Sequence, residues 1–204
     1  APRLMPRRRP GGVRGRIALL HAVAHIELNA IDLAWDLIGR FGGSRDWPAA
    51  FFDDWVTVAD DEARHFTLLE ARLAELGAGY GDLPAHDGLW QAAADTAGDP
   101  LARLAVVPMV LEARGLDVTP AMIAKLRRAG DGKSADLLQI ILGEEVAHVA
   151  AGRRWFAHLC TARGLPERDT WRVLVAKHYR AVLKPPFNEP ARNAAGMTPE
   201  FYTG

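Results

Sequence analysis

Four glutamates and two histidines occur along this chain in an order that few folds can accommodate. Glu27 stands alone, Glu62 is followed three residues later by His65, Glu112 stands alone, and Glu145 is followed three residues later by His148. Positions i and i+3 are neighbours on one face of an α-helix, so each Glu-x-x-His pair reads as one turn offering a carboxylate and an imidazole together. On a helical wheel Glu27 lies on a stripe with Leu20, Val23, Ala24, Ile31, Ala34 and Ile38. Glu62 and His65 fall among Phe51, Trp55, Val58, Leu69, Leu73 and Leu76. Glu112 falls with Leu101, Ala105, Met109 and Leu116, and Glu145 with His148 falls among Leu138, Ile141, Gly152, Trp155 and Leu159. A glutamate at the centre of an apolar stripe is costly to bury unless it is paired, protonated or bound to metal. The sequence therefore calls for an all-α fold in which four apolar helix faces converge and bring six polar groups to one level.

The punctuation of the chain supports four long helices. Helical periodicity runs over about 15–41 and stops at Gly42-Gly43. A second helix is expected from about Trp47-Pro48 to Gly77, with Asp46 as its cap. Residues 79–84 read as loop and 89–97 as a short helix. Asp99-Pro100 opens a third long helix, and Thr119-Pro120 repeats the device, so that helix should end near Leu116 and a short one follow to about Ala129. After the turn at Asp131-Gly132 a fourth helix covers about 134–163, Gly164-Leu-Pro166 breaks it, and a last helix covers about 167–183. The tail from Lys184, rich in Pro, Asn and Gly, reads as irregular. About six residues join the first two helices, which predicts antiparallel neighbours, and more than twenty join the second and third, enough for a crossover. The organisation read from this is a basic arm (1–14), a four-helix bundle (15–163), and a C-terminal helix and tail packing on it (164–204).

Composition narrows the setting. Of 25 basic residues, Arg3, Arg7, Arg8, Arg9, Arg14 and Arg16 precede the first long helix with no acid among them, leaving 19 basic against 25 acidic residues in the rest. Such an arm is either a solvated terminus or a binder of nucleic acid or a membrane surface. Cys160 is the sole cysteine, which excludes an internal disulfide and a cysteine-based zinc or iron–sulfur site. No signal-peptide pattern and no uninterrupted apolar run of about 18 residues is visible, so a cytoplasmic protein without a membrane span is expected.

The chemistry follows from the donor set. One carboxylate and one imidazole from the same turn can reach a single ion, and two such helices supply one of each per metal. Four glutamates carry four negative charges, which two divalent ions neutralise. Oxygen and imidazole donors with open positions suit iron or manganese better than a closed zinc site. The expected ligands, and the residues expected to carry catalysis, are Glu27, Glu62, His65, Glu112, Glu145 and His148. The competing reading is six satisfied buried polar residues in an ordinary bundle.

This pattern resembles the ferritin-like di-iron and di-manganese carboxylate superfamily over about residues 15–163. The segments His21-Ala-Val-Ala-His-Ile-Glu27, Leu111-Glu-Ala-Arg-Gly-Leu-Asp117 and Lys184-Pro-Pro-Phe-Asn-Glu189 are similar to an uncharacterised bacterial ferritin-like family. The resemblance implies a four-helix bundle with one long crossover and a centre of two iron ions, two manganese ions or a mixed pair. An acid precedes each Glu-x-x-His. Asp61-Glu-Ala-Arg-His65 is similar to the signature of oxygen-activating di-iron hydroxylases, in which the leading acid accepts a hydrogen bond from the metal-bound imidazole. Asp61 and Glu144 lie one turn before His65 and His148, where a carboxylate can orient the ring, although the second copy has Glu for Asp and lacks the Arg. The implied activity is a di-iron oxidoreductase that takes dioxygen or peroxide, an external electron donor and an unknown organic substrate, modified RNA included. The alternatives are a ferroxidase or peroxide scavenger, and a non-catalytic RNA- or protein-binding module served by the arginine arm. A homodimer is compatible with either.

Other residues receive smaller expectations. Pro108 should kink the third helix one turn before Glu112. His21, His25, Asp32 and Asp36, on the face opposite Glu27, are expected to meet the C-terminal helix or tail. His86, His158 and His178 are expected at the surface, Cys160 without a role, and Trp35, Trp55, Trp155 and Phe156 as apolar walls that keep the centre dry.

Overall fold

A computed structural model describes residues 11–44, 46–179 and 181–203, and these contain helices and no strand. Arg3, Arg7, Arg8 and Arg9 of the basic arm lie outside the described residues. The helices are α1 (Val13–Phe41), α2 (Ala49–Glu75), α3 (Gly88–Asp95), α4 (Pro100–Val106), α5 (Ala113–Arg128), α6 (Gly132–Arg163), α7 (Glu167–His178), α8 (Glu189–Ala194) and α9 (Pro199–Tyr202). A π-helical stretch, Val107–Glu112, joins α4 to α5, so the third long helix runs unbroken from Pro100 to Arg128.

Apolar faces decide how these helices pair. Phe41 and Ala34 of α1 meet Phe51, Trp55 and Val58 of α2 in one cluster, while Leu20 meets Leu69 and Leu73 in another, which fixes α1 and α2 as antiparallel neighbours. The α4–π–α5 stretch runs antiparallel to α6 by the same logic, with Leu101 and Leu104 near Leu159 and Trp155, and Ile123 and Leu126 near Ala135 and Leu138. Each long helix contributes to both clusters. On α1, α2 and α6 the acid and imidazole groups lie between the two contributions, so a polar layer separates the two apolar ones; on the third long helix Glu112 lies near the inner edge of the first cluster. The connection from α2 to α4 crosses the molecule through α3, whose Leu89 and Ala93 pack on Leu33 and Val107.

Local chemistry explains most boundaries. Asp99 accepts a hydrogen bond from the Leu101 amide with Pro100 in the first turn, and Asp131 accepts one from the Ser134 amide. Gly164 ends α6 in the left-handed conformation at φ 64°, which favours glycine. Asp46 is not a cap: α2 begins one residue after Pro48, whose extended backbone ends the incoming loop, and no side chain caps it.

Two prolines behave differently from expectation. Pro120 does not stop the third helix. The carbonyl it leaves without a backbone partner, on Leu116, accepts instead from the Asn188 side chain at 3.0 Å. Pro108 produces a π stretch, and the Ala105 carbonyl upstream of it accepts from Trp171 Nε1 at 3.1 Å. α6 makes room for the proline ring with Gly152, where a Cβ atom would stand 2.4 Å from Pro108 Cβ.

The C-terminal region also departs from the sequence reading. α7 ends at His178, before Leu183, and the tail is not irregular throughout: α8 and α9 form, and Met197, Phe201 and Tyr202 join the core. The histidine face of α1 meets the α2–α3 loop, away from the C-terminal helix and tail. His21 accepts from the Gly81 amide at 3.0 Å, and His25 contacts the Tyr80 hydroxyl at 2.9 Å and the His86 carbonyl at 2.8 Å. Asp36 receives the buried Arg103 at 2.6 Å. His86 and His158 are exposed, as expected, with His158 packing on Trp47 and Trp155, whereas His178 is half-buried and reaches the Asp95 carbonyl. Trp35 is 51% exposed and forms no wall, whereas Trp55, Trp155 and Phe156 are buried. Cys160 is buried in the core, and burial pushes its thiol up to about 11. Among the described residues α1 alone is long and apolar enough to cross a membrane by length and composition, and most of that apolar window is buried inside the protein.

Candidate metal centre

The polar layer draws its groups from all four long helices. Glu27, Glu62, His65 and Glu145 each offer one ligand atom within 4.8 Å of the others. His65 Nδ1 lies 3.2 Å from Glu27 Oε2, 3.4 Å from Glu62 Oε2 and 4.0 Å from Glu145 Oε1. His148 Nδ1 lies 3.1 Å from Glu62 Oε1 and 3.5 Å from Glu145 Oε2. Glu112 enters from the end of the π stretch, and its field is felt with those of Glu145 and Glu62. All six residues predicted from spacing thus lie in one layer, with His65 and His148 ring centres 5.8 Å apart.

Each imidazole turns Nδ1 inward and Nε2 outward. The outer nitrogen of His65 meets Glu144 Oε2 at 2.6 Å, and that of His148 meets Asp61 Oδ2 at 3.2 Å. Asp61 and Glu144 therefore hold the metal-layer imidazoles, but not the rings one turn along their own helices: each holds the histidine of the opposite helix. Antiparallel packing is the reason, because it sets Asp61 of α2 level with His148 of α6, and Glu144 level with His65. Arg64 then spans both acids, at 2.8 Å to Asp61 and 2.7 Å to Glu144. One arginine serves both halves, which accounts for its absence from the second Glu-x-x-His copy. Its partnership with Glu144, eighty residues away, carries no local sequence signal.

The electrostatics follow from burial and crowding. Burial, reinforced by the neighbouring Glu62, raises Glu27 well above the usual carboxylate range. Burial with Glu145 and Glu62 nearby pushes Glu112 up to about 8, and Glu145 is raised by the same causes, burial and then Glu62. Glu62 goes the other way. Burial opposes its charge, but hydrogen bonds with His148, His65 and Glu27 outweigh that and hold it down to about 2. Burial alone would lower both imidazoles. Contacts with Glu27, Glu62 and Glu144 instead push His65 up to about 10, and contacts with Glu145 and Glu62 push His148 up to about 12.

Satisfaction is incomplete at this layer. Glu112 Oε2 is buried without a hydrogen-bond partner, while the buried Glu62 Oε1 and Glu145 Oε2 share the single Nδ1 of His148, at 3.1 and 3.5 Å. Buried polar atoms are ordinarily fully paired, so an oxygen with no partner beside two that share one nitrogen is a local deficit. Their chemistry, carboxylate oxygens and an imidazole Nδ1 backed by an acid on Nε2, is that of a cation site with oriented ligands. The donor set fits a metal site.

A cavity of about 210 Å³ opens on this layer from the α1–α5 side, and Glu27, Glu62, Glu112 and Glu145 all contribute to its wall. Neither His65 nor His148 lines it. Tyr179, not singled out in the sequence, and Thr119, read there only as a helix cap, lie on the same wall.

The model of a family described as "Protein of unknown function (DUF455)" matches residues 1–203. An "Uncharacterized protein" of Haemophilus influenzae is 42% identical over 202 residues, spanning 97% of this chain and 70% of that protein. No solved structure matches the chain.

Proposed function

The chain belongs to the DUF455 family, whose description assigns no activity, and from the chemistry of its own buried layer we propose a di-metal oxidoreductase on a ferritin-like four-helix bundle. Two antiparallel helix pairs, one long crossing connection and ligands from all four long helices support that bundle reading. The centre would hold two iron ions, or manganese, through Glu27, Glu62, His65, Glu112, Glu145 and His148. When bound, the ions would supply the redox chemistry that activates dioxygen or peroxide toward an organic substrate, with electrons from an external donor.

The protein's own residues do the rest. Asp61 and Glu144 fix the two imidazoles with Nδ1 inward, and Arg64 fixes the two acids. Trp55, Leu69, Met109 and Phe156, all buried, keep bulk water from the layers on either side. The observation that carries the reading is one buried layer in which four glutamates crowd around two inward-facing imidazole nitrogens, with Glu112 Oε2 left unpartnered. A ferroxidase or peroxide scavenger would use the same ligands. The apolar cavity beside the carboxylates favours an organic substrate over these.

Elemental analysis of protein purified without chelators is expected to give about two iron or manganese atoms per chain. Since ligands must shed protons to bind metal, anaerobic uptake of ferrous iron should release protons near neutral pH, where both imidazoles are held protonated. Glu62→Ala and His148→Ala should each lose metal. Full metal content in both variants would sink the ligand assignment.

A further inference from the structure

The cavity beside the carboxylates says what kind of molecule the centre acts on, an inference that rests on the di-metal reading. We infer that its substrate is a small, uncharged, mainly hydrocarbon molecule, bound against the aliphatic wall with its reacting carbon toward the four glutamates.

Three observations lead there. The first is size. At about 210 Å³ the cavity exceeds the roughly 150 Å³ that holds a benzene molecule, and falls short of the roughly 300–1,000 Å³ of pockets for drug-sized ligands. Nucleotides and folded RNA are too large to enter, although a slim apolar end of a longer molecule fits.

The second is the lining. Away from the glutamates the wall is built largely of Val23, Leu111, Val118, Met122, Leu138 and Ile141, on three different helices. A charged group would give up its hydration there with nothing to replace it. Among the described residues the wall includes one cationic side chain, Arg114, and its Nη1 already donates to the carbonyls of Lys184 at 2.7 Å and Pro186 at 3.0 Å. With two divalent ions already offset by the four carboxylates, an anionic ligand would therefore find no surplus counter-charge on this wall. A cationic one would compete with the metal ions for the same oxygens. Thr119 and Tyr179 leave room for one hydroxyl or carbonyl on the ligand.

The third is direction. All four glutamates face the cavity and both imidazoles lie outside its wall, held by Asp61 and Glu144 on the other side. The accessible face of the centre is the one against the aliphatic wall.

The test uses the metal-loaded protein and three probes of equal chain length: 1-hexanol, hexanoate and hexylammonium. Binding is followed by ligand-observed NMR, with metal content determined on the same samples. Saturable binding of 1-hexanol is expected, at least tenfold tighter than either charged probe. Val118→Phe should weaken it at least tenfold with metal content unchanged. Met122→Trp, at a second partly exposed position on the same wall, serves if Val118→Phe does not fold. Intact metal with no 1-hexanol binding, with a charged probe binding as well or better, or with binding indifferent to both substitutions overturns the substrate class alone. Absence of metal from the native protein defeats the underlying function instead.

Discussion

Two buried charged clusters, at Glu112 and Asp117, sit five residues apart on the third long helix, and they are built on opposite plans. Beyond Glu112, Asp117 accepts from Arg192 Nε at 2.8 Å and Nη2 at 2.7 Å, and from the Asn188 amide at 2.9 Å. The Arg192 guanidinium also lies over the Tyr202 and Phe187 rings, 4.5 and 5.2 Å from their centres. This is a closed clasp: the fork of Arg192 meets both carboxylate oxygens, and Arg114 Nη1 stands 3.4 Å from Oδ2. The layer around Glu62 has four acids competing for two imidazoles, and Glu112 Oε2 finds no partner at all. Burial of charge is common to both, so burial alone does not mark a functional site. The distinction is completeness, since a finished cluster holds the chain together and an unfinished one is shaped for a ligand.

Cutting the clasp gives the largest expected effect. Arg192→Ala leaves the buried Asp117 with only the longer, part-exposed contact to Arg114, and removing one partner of a buried pair costs about 3–5 kcal/mol. Chemical denaturation should show that loss, together with release of the tail that carries Met197 and Phe201. A cost below about 1 kcal/mol would mean the clasp is not closed in solution.

Easing the crowded layer should do the reverse. In chelator-treated protein, Glu112→Gln removes a carboxyl whose folded pKa of about 8 stands above its ordinary value near 4.5. Between those two values the folded chain holds a proton that the unfolded chain has lost, so this group makes stability fall as pH rises from 4.5 through 8. The variant should lack that part of the decline, on the order of 2 kcal/mol between pH 5 and pH 8. The contribution from His65 and His148 starts to fade above about 6.5 and continues through their raised values, so it persists in the variant. Identical pH profiles for the two proteins would place Glu112 outside the crowded layer.

The unfinished cluster was the more legible of the two in the sequence. Its six residues sit at helical spacing on apolar faces, and periodicity within each helix is enough to find them. Asp61 and Glu144 were visible too, but their crossed partnership depends on which helices are level with each other, which no single helix records. The clasp was legible only in fragments. Segments 111–117 and 184–189 stood out separately, while the bonds that join them, from Arg114 to Lys184 and Pro186 and from Asn188 to Asp117, span about seventy residues. The same distance hid the fate of Pro120, whose helix-breaking signal is cancelled by Asn188. Local rules read helices well here, and failed where a distant side chain supplied a missing hydrogen bond.

A third arginine sharpens the contrast at the small end. Arg64, like Arg192, holds carboxylates together, joining Asp61 and Glu144, but its side chain is 44% exposed. Water solvates it and salt screens it, so exposed pairs of this kind contribute about 0–1 kcal/mol. Arg64→Gln is therefore expected to cost less than about 1 kcal/mol in chelator-treated protein, and to cost still less at high ionic strength. Its two acids remain bonded to His148 and His65, so metal content should survive. The informative comparison is with Asp61→Asn, which weakens the outer hold on His148 and should lower metal affinity about 10–100-fold. If Arg64→Gln loses as much metal as Asp61→Asn, orientation of the imidazoles depends on the arginine bridge as much as on the acids. The closed and open clusters would then share one design element, an arginine that fixes carboxylates.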